Sequence, residues 1–61
     1  MKLKMVVNNY VLSKVRRQLS MSVISETKID RYHHEIIFKV ANDREVQFIQ
    51  KLTSYKGEII E

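Results

Sequence analysis

A chain of 61 residues with no cysteine, no proline and one glycine excludes several common functional devices. Disulfides and thiolate metal sites cannot form, and a single glycine cannot build the glycine-rich loops that hold nucleotide phosphates. A hydrophobic content of 44% supports a packed core, and the net charge is +4. We therefore expect one small domain over residues 1–61, consisting mostly of regular elements joined by short turns.

The positive charge is concentrated in the N-terminal part of the chain. The first 25 residues contain five basic side chains and no acidic one, whereas the rest contains six basic and seven acidic side chains. A one-sided field of this kind steers partners towards one region of a surface. It predicts a partner with an acidic surface or a nucleic acid.

The N-terminal segment allows two predictions. An apolar residue recurs every four positions between 3 and 19, which would suit a single helix. Alternatively, residues 3–8 form a strand, and Asn8 or Asn9 caps a helix over 10–20. Adjacent asparagines are weak inside helices and strong as caps, which favours strand followed by helix.

The middle of the chain predicts an antiparallel hairpin. Apolar and polar residues alternate over 21–30 and again over 33–41, and the second segment is rich in β-branched and aromatic residues. Both patterns are typical of strands. Asp30 to His33 then forms the turn.

The C-terminal part predicts a helix over 43–56. Asn42 is a good N-cap with Glu45 as its capping-box partner, and Gly57 stands where a glycine often ends a helix. The expected apolar face consists of Phe48, Ile49, Leu52 and Tyr55. An alternative strand, with Asn42 and Asp43 as its turn, is disfavoured because the chain lacks turn residues.

These elements predict an α+β domain with two helices on one face of a small antiparallel sheet. The order is β-α-β-β-α, with residues 58–61 as a possible final strand, which is the ferredoxin-like order in minimal form. The single-helix alternative gives α-β-β-α. A chain this small often relies on oligomerisation, so we also expect a homodimer.

The first helix supplies the candidate binding residues. On a helical wheel its apolar face contains Val11, Leu12, Val15 and Leu19. Tyr10, Lys14 and Arg17 lie on the opposite face, with Arg16 at its border. An aromatic among basic side chains suits a protein partner or nucleic acid, although such a face can also simply be solvated.

Other features predict a binding module and not an enzyme. No nucleophile has a recognisable motif, we expect no cofactor, and His33 and His34 should point to opposite faces of a strand, which disfavours a metal site. Ile24 and Ile37 would lie on the uncovered sheet face, where they suggest a dimer interface. The chain has no apolar run long enough for a transmembrane helix, and we expect a cytoplasmic protein.

Overall fold

The computed structural model describes residues 1–61 and contains two helices and a four-stranded antiparallel sheet. The elements in chain order are β1 (Lys2–Asn8), α1 (Asn9–Gln18), a 3-10 turn (Ser20–Ser22), β2 (Val23–Lys28), β3 (His33–Lys39), α2 (Asp43–Thr53) and β4 (Glu58–Ile59). The predicted α+β class is confirmed. The single helix over 3–19 and the strand over 43–56 are wrong, while the ferredoxin-like likeness remains a prediction from element order.

The start of α1 is determined by the first of the two asparagines. The Asn8 side-chain oxygen accepts a hydrogen bond from the Val11 backbone N–H at 2.9 Å, which satisfies one of the free donors of the first turn. The helix ends at Gln18, two residues earlier than predicted, because the chain tightens into the 3-10 turn.

The start of α2 follows the predicted capping box closely. The Asn42 side chain accepts from the Glu45 N–H at 3.0 Å, and the Glu45 carboxylate accepts from the Ala41 N–H at 2.7 Å. The helix ends at Thr53, because Ser54 adopts the left-handed conformation with φ of 62°. The predicted end at residue 56 is therefore wrong.

Gly57 has a different role from the predicted helix cap. A Cβ at this position would lie 2.4 Å from Leu3 Cδ1 and 3.0 Å from the Lys4 carbonyl oxygen. The absence of a side chain lets the chain pass close to β1 immediately before it forms β4. The glycine is required by this close approach and not by a positive φ.

The sheet has the strand order β2-β3-β1-β4, and every neighbouring pair is antiparallel. β1 and β3 pair along their full lengths, from Lys2 opposite Lys39 to Asn8 opposite His33. The pairing of β2 with β3 shifts register between Val23 and Ser25, so the alternation of side chains is interrupted there.

Both helices pack on one face of the sheet, where they close a single hydrophobic core. Its buried residues are Leu3, Met5, Val7, Leu12, Val15, Leu19, Ile36, Phe38, Val40, Val46 and Ile49. The predicted apolar face of α1 is confirmed, since Leu12, Val15 and Leu19 are buried and Val11 packs against them.

The predicted apolar face of α2 is partly wrong. Phe48 is 60% exposed, whereas Val46, Ile49 and Thr53 are buried. At about 100° per residue, Phe48 lies on the side of the helix opposite Val46 and Thr53. Thr53 is accommodated in the core because its hydroxyl donates to the Ile49 carbonyl at 2.8 Å. Neither helix is long and apolar enough to cross a membrane.

Candidate interaction surfaces

The four predicted binding residues of α1 do not form one patch. Tyr10 and Arg17 are exposed on the outward side, and Tyr10 is 89% exposed. The Lys14 ammonium donates to the Leu52 carbonyl of α2 at 3.2 Å. The Arg16 guanidinium lies on the other flank, 2.6 Å from a carboxylate oxygen of Glu26 on β2.

Helix geometry explains this separation. Two residues along a helix correspond to a rotation of about 200°, so Lys14 and Arg16 lie on opposite flanks of α1. Since α2 lies on one flank and β2 on the other, each cation finds an acceptor within the protein. The outward surface keeps Tyr10 and Arg17, and its cationic character is smaller than the helical wheel suggested.

A second tyrosine extends this surface. Tyr32, in the turn between β2 and β3, is 61% exposed, and it lines an open cavity of about 500 Å³ together with Asn8, Asn9 and Tyr10. We refer to these four residues as the tyrosine cleft. The predicted binding residues did not include Tyr32, although tyrosine is an unusual residue in a tight turn.

Asn9 holds the two sides of the tyrosine cleft together. Its backbone N–H donates to the Tyr32 carbonyl at 3.1 Å, and its side-chain amide donates to the Arg31 carbonyl at 3.2 Å. The first residue of α1 is thus fastened to the β2–β3 turn. The two tyrosines therefore project from backbone segments that are joined to each other.

Asp30 organises the same turn from within. One of its carboxylate oxygens accepts hydrogen bonds from the Tyr32 N–H at 2.8 Å and the His33 N–H at 2.9 Å, and lies 3.0 Å from His33 Nδ1. The hydrogen bond from the Tyr32 N–H lowers the pKa of Asp30 below its ordinary value of 3.8, and the hydrogen bond with the His33 side chain lowers it further.

The two histidines diverge, as the strand geometry predicts. His34 turns towards the helices, its side chain is 13% exposed, and its Nε2 lies 2.9 Å from Asn9 Oδ1. Because the Asn9 amide nitrogen donates to Arg31, Asn9 Oδ1 is the acceptor and His34 Nε2 carries the proton. His34 Nδ1 is buried without a hydrogen bond, 3.7 Å from Glu26. No group of three potential metal ligands exists.

The uncovered face of the sheet carries the side chains that alternate with the core residues. Ile37 is partly exposed there, and Val6, which sequence reasoning overlooked, is 42% exposed. Ile24 is also exposed, but it lies at the register shift and lines a separate cavity with Met1, Lys2, Lys39 and Glu61. The predicted pair is therefore divided, with Ile37 on the face and Ile24 at its corner.

Comparison with protein-family models, with curated proteins and with solved structures finds no match to this chain. The tyrosine cleft and the uncovered sheet face are the features of the molecule that bear on its function.

Proposed function

We propose that this protein is a small non-enzymatic interaction module that regulates or inhibits a partner protein by binding it through the tyrosine cleft and Arg17. The observation that carries the proposal is the pairing of two exposed tyrosines, Tyr10 and Tyr32, across one cavity. Tyrosine and arginine are the residues that most often dominate the binding energy of protein interfaces.

The rigidity of the tyrosine cleft supports this function. Asn9 fastens α1 to the turn, and Asp30 fixes the turn internally. A backbone that is already held in place has less conformational entropy to lose on binding, so more of the contact energy becomes affinity.

The charge of the neighbourhood indicates the kind of partner. Arg17 lies on the outward side of α1, and the segment before Glu26 has no acidic residue. The nearest carboxylate of the turn, Asp30, is already engaged by His33. An acidic partner surface would therefore meet complementary charge around the tyrosine cleft.

Nucleic-acid binding through α1 is less well supported. Phosphate recognition usually requires several cations along one surface. Lys14 and Arg16 instead face Leu52 and Glu26, which leaves Arg17 as the helix cation without such a contact. The uncovered sheet face also lacks a phenylalanine, tyrosine or tryptophan side chain on which a base could stack.

The experiment is an affinity capture from the native host with three immobilised proteins. These are the wild type, the double variant Tyr10→Ala/Tyr32→Ala and the control Phe48→Ala, which removes an aromatic of similar exposure from α2. We expect one stoichiometric, nuclease-resistant protein that the wild type and the control retain and the double variant loses. Titration of that protein should show affinity at least about tenfold weaker for the double variant.

Two results would contradict the proposal. If the double variant retained the captured protein as well as the wild type, the tyrosine cleft would not be the binding surface. If the captured material disappeared on nuclease treatment, and binding to unrelated nucleic acids fell steeply with salt, the partner would be a nucleic acid. Circular dichroism of all three proteins establishes that each is folded.

A further inference from the structure

Four residues at the centre of the uncovered sheet face form a regular pattern. Lys4 of β1 lies directly opposite Ile37 of β3, and Val6 of β1 lies directly opposite Glu35 of β3. Since residues i and i+2 of a strand share a face, all four side chains point away from the core. One diagonal of this quartet is apolar, Ile37 and Val6, and the other carries opposite charges, Lys4 and Glu35.

This arrangement is complementary to itself. When two copies pack their sheets face to face, the two-fold axis that relates them lies between the sheets and parallel to both. Seen from above the sheet, each residue of one copy then lies over the mirror-image position, across that axis, of the other copy. If the axis runs along the apolar diagonal, Ile37 meets Ile37 and Val6 meets Val6 of a second copy. The same operation exchanges the ends of the charged diagonal, so each Lys4 approaches the Glu35 of the other copy.

We propose that a second copy of this chain docks on the uncovered sheet face through Lys4, Val6, Glu35 and Ile37. Glu35 forms no ion pair within the chain, and Lys4 has only the long contact of 3.8 Å to the exposed carboxylate of Glu58. Both charges are therefore available to the second copy. The arrangement buries the apolar diagonal twice and brings no like charges of the quartet together.

The uncovered face is small compared with the interfaces of stable dimers. The four strands contain 22 residues, and a spacing of about 4.8 Å between strands and about 3.3 Å between residues gives a footprint of about 350 Å². Stable interfaces bury about 800 Å² per partner, so this dimer should form at high micromolar concentrations and dissociate on dilution. The helix layer stays uncovered, and the quartet includes no residue of the tyrosine cleft, so the dimer is independent of the function proposed above.

The test is a charge-swap pair studied by sedimentation equilibrium from about 10 µM to about 1 mM. The wild type should rise from the monomer mass of 7.3 kDa towards twice that value. Lys4→Glu places two glutamates against each other at both contacts, and Glu35→Lys places two lysines there. Each single variant should therefore associate at least about tenfold more weakly.

The decisive sample is an equimolar mixture of the two variants. In a mixed dimer, the new glutamate of one chain faces the new lysine of the other, and the native Glu35 faces the native Lys4. The mixture should regain association at least as strong as that of the wild type. The matched control is Arg44→Glu, an equal charge reversal at an exposed position of α2, which should leave the dimer unchanged.

Three outcomes would overturn the proposal. A wild-type protein that stays monomeric to about 1 mM has no such interface. Dimers that persist in both single variants would use another surface. Single variants that weaken association without recovery in the mixture would show that Lys4 and Glu35 do not meet across it. Circular dichroism of each variant, compared with the wild type, shows whether it is folded.

Discussion

The two faces of the sheet are built from alternate residues of the same strands, yet their environments differ completely. On the covered face, Leu3, Val7 and Phe38 have no solvent exposure. On the uncovered face, Lys4, Val6 and Ile37 lie one position away in the chain and remain in contact with solvent. The same backbone therefore presents a core on one side and an available surface on the other.

This difference separates stability from recognition. Burial of apolar surface is the main favourable term in folding, and in this protein it occurs almost entirely between the helices and one side of the sheet. Substitutions on the uncovered face can then change binding while leaving the fold intact. A small domain gains from this division, because it has little stability to lose.

The largest expected effect comes from comparing neighbours on opposite faces. Phe38→Ala should destabilise the fold by about 3–5 kcal/mol, because it leaves a cavity between the sheet and the helices. A domain of this size has a free energy of unfolding of about 3–9 kcal/mol, so the variant should lose a large part of its stability. Ile37→Ala should lose about 1 kcal/mol or less.

Urea denaturation followed by circular dichroism measures both values. The protein should be kept dilute so that self-association does not contribute to the measured stability. Similar losses for the two variants would mean that the uncovered face contributes to folding as much as the core does, and the division between the faces would fail.

A smaller effect is expected at the closest contact of the covered side. Gly57→Ala would place a methyl group against Leu3 Cδ1 and Cγ and force the Leu3 side chain to move within the core. Overpacking of this kind destabilises by about 1–3 kcal/mol. The exposed neighbour Lys56 provides the control, since Lys56→Ala should change stability by less than about 0.5 kcal/mol in the same denaturation experiment. An unchanged midpoint for Gly57→Ala would mean that Leu3 is loosely packed.

The smallest expected effect concerns the exposed turn, where a polar contact contributes to stability without burial. The pKa of Asp30 is lower in the folded state than in the unfolded state. Asp30 therefore contributes to the free energy of unfolding at pH values above its unfolded-state pKa, and this contribution is lost as the pH falls through its folded-state pKa. The wild type should therefore lose more stability on acidification than Asp30→Asn. A carbonyl-carbon NMR titration should place the Asp30 midpoint below 3.8, and a midpoint at or above that value would contradict the turn geometry.

Features encoded by adjacent residues could be predicted from the sequence. Asn42 and Glu45 place the start of α2 because both partners of the capping box lie within one turn. Asn8 similarly places the start of α1, because this one residue is both the last residue of β1 and the N-cap of the helix. The alternation of apolar and polar residues also predicted β3, because side chains of a strand point to opposite faces every second residue.

Features set by tertiary contacts could not be predicted in this way. Phe48 lies on a plausible apolar face, but the packing of α2 on the rest of the domain buries Val46 and Thr53 instead. Gly57 serves a contact with Leu3, which is far away in the sequence. For the binding surface, Lys14 contacts the Leu52 carbonyl of α2, and Arg16 pairs with Glu26 of β2. Tyr32 lies beside Tyr10 only because the β2–β3 turn folds back on α1.

The central place of β1 in the sheet has a consequence for the order in which the protein folds. The β2–β3 hairpin joins residues that are close in sequence, but β1 pairs Lys2 with Lys39 and Leu3 with Ile59. Non-local pairing slows folding to about milliseconds or longer, since a long loop must close before its contacts stabilise it. We expect the hairpin to form early and β1 to join late, so during synthesis the sheet can be completed only once residue 59 has left the ribosome.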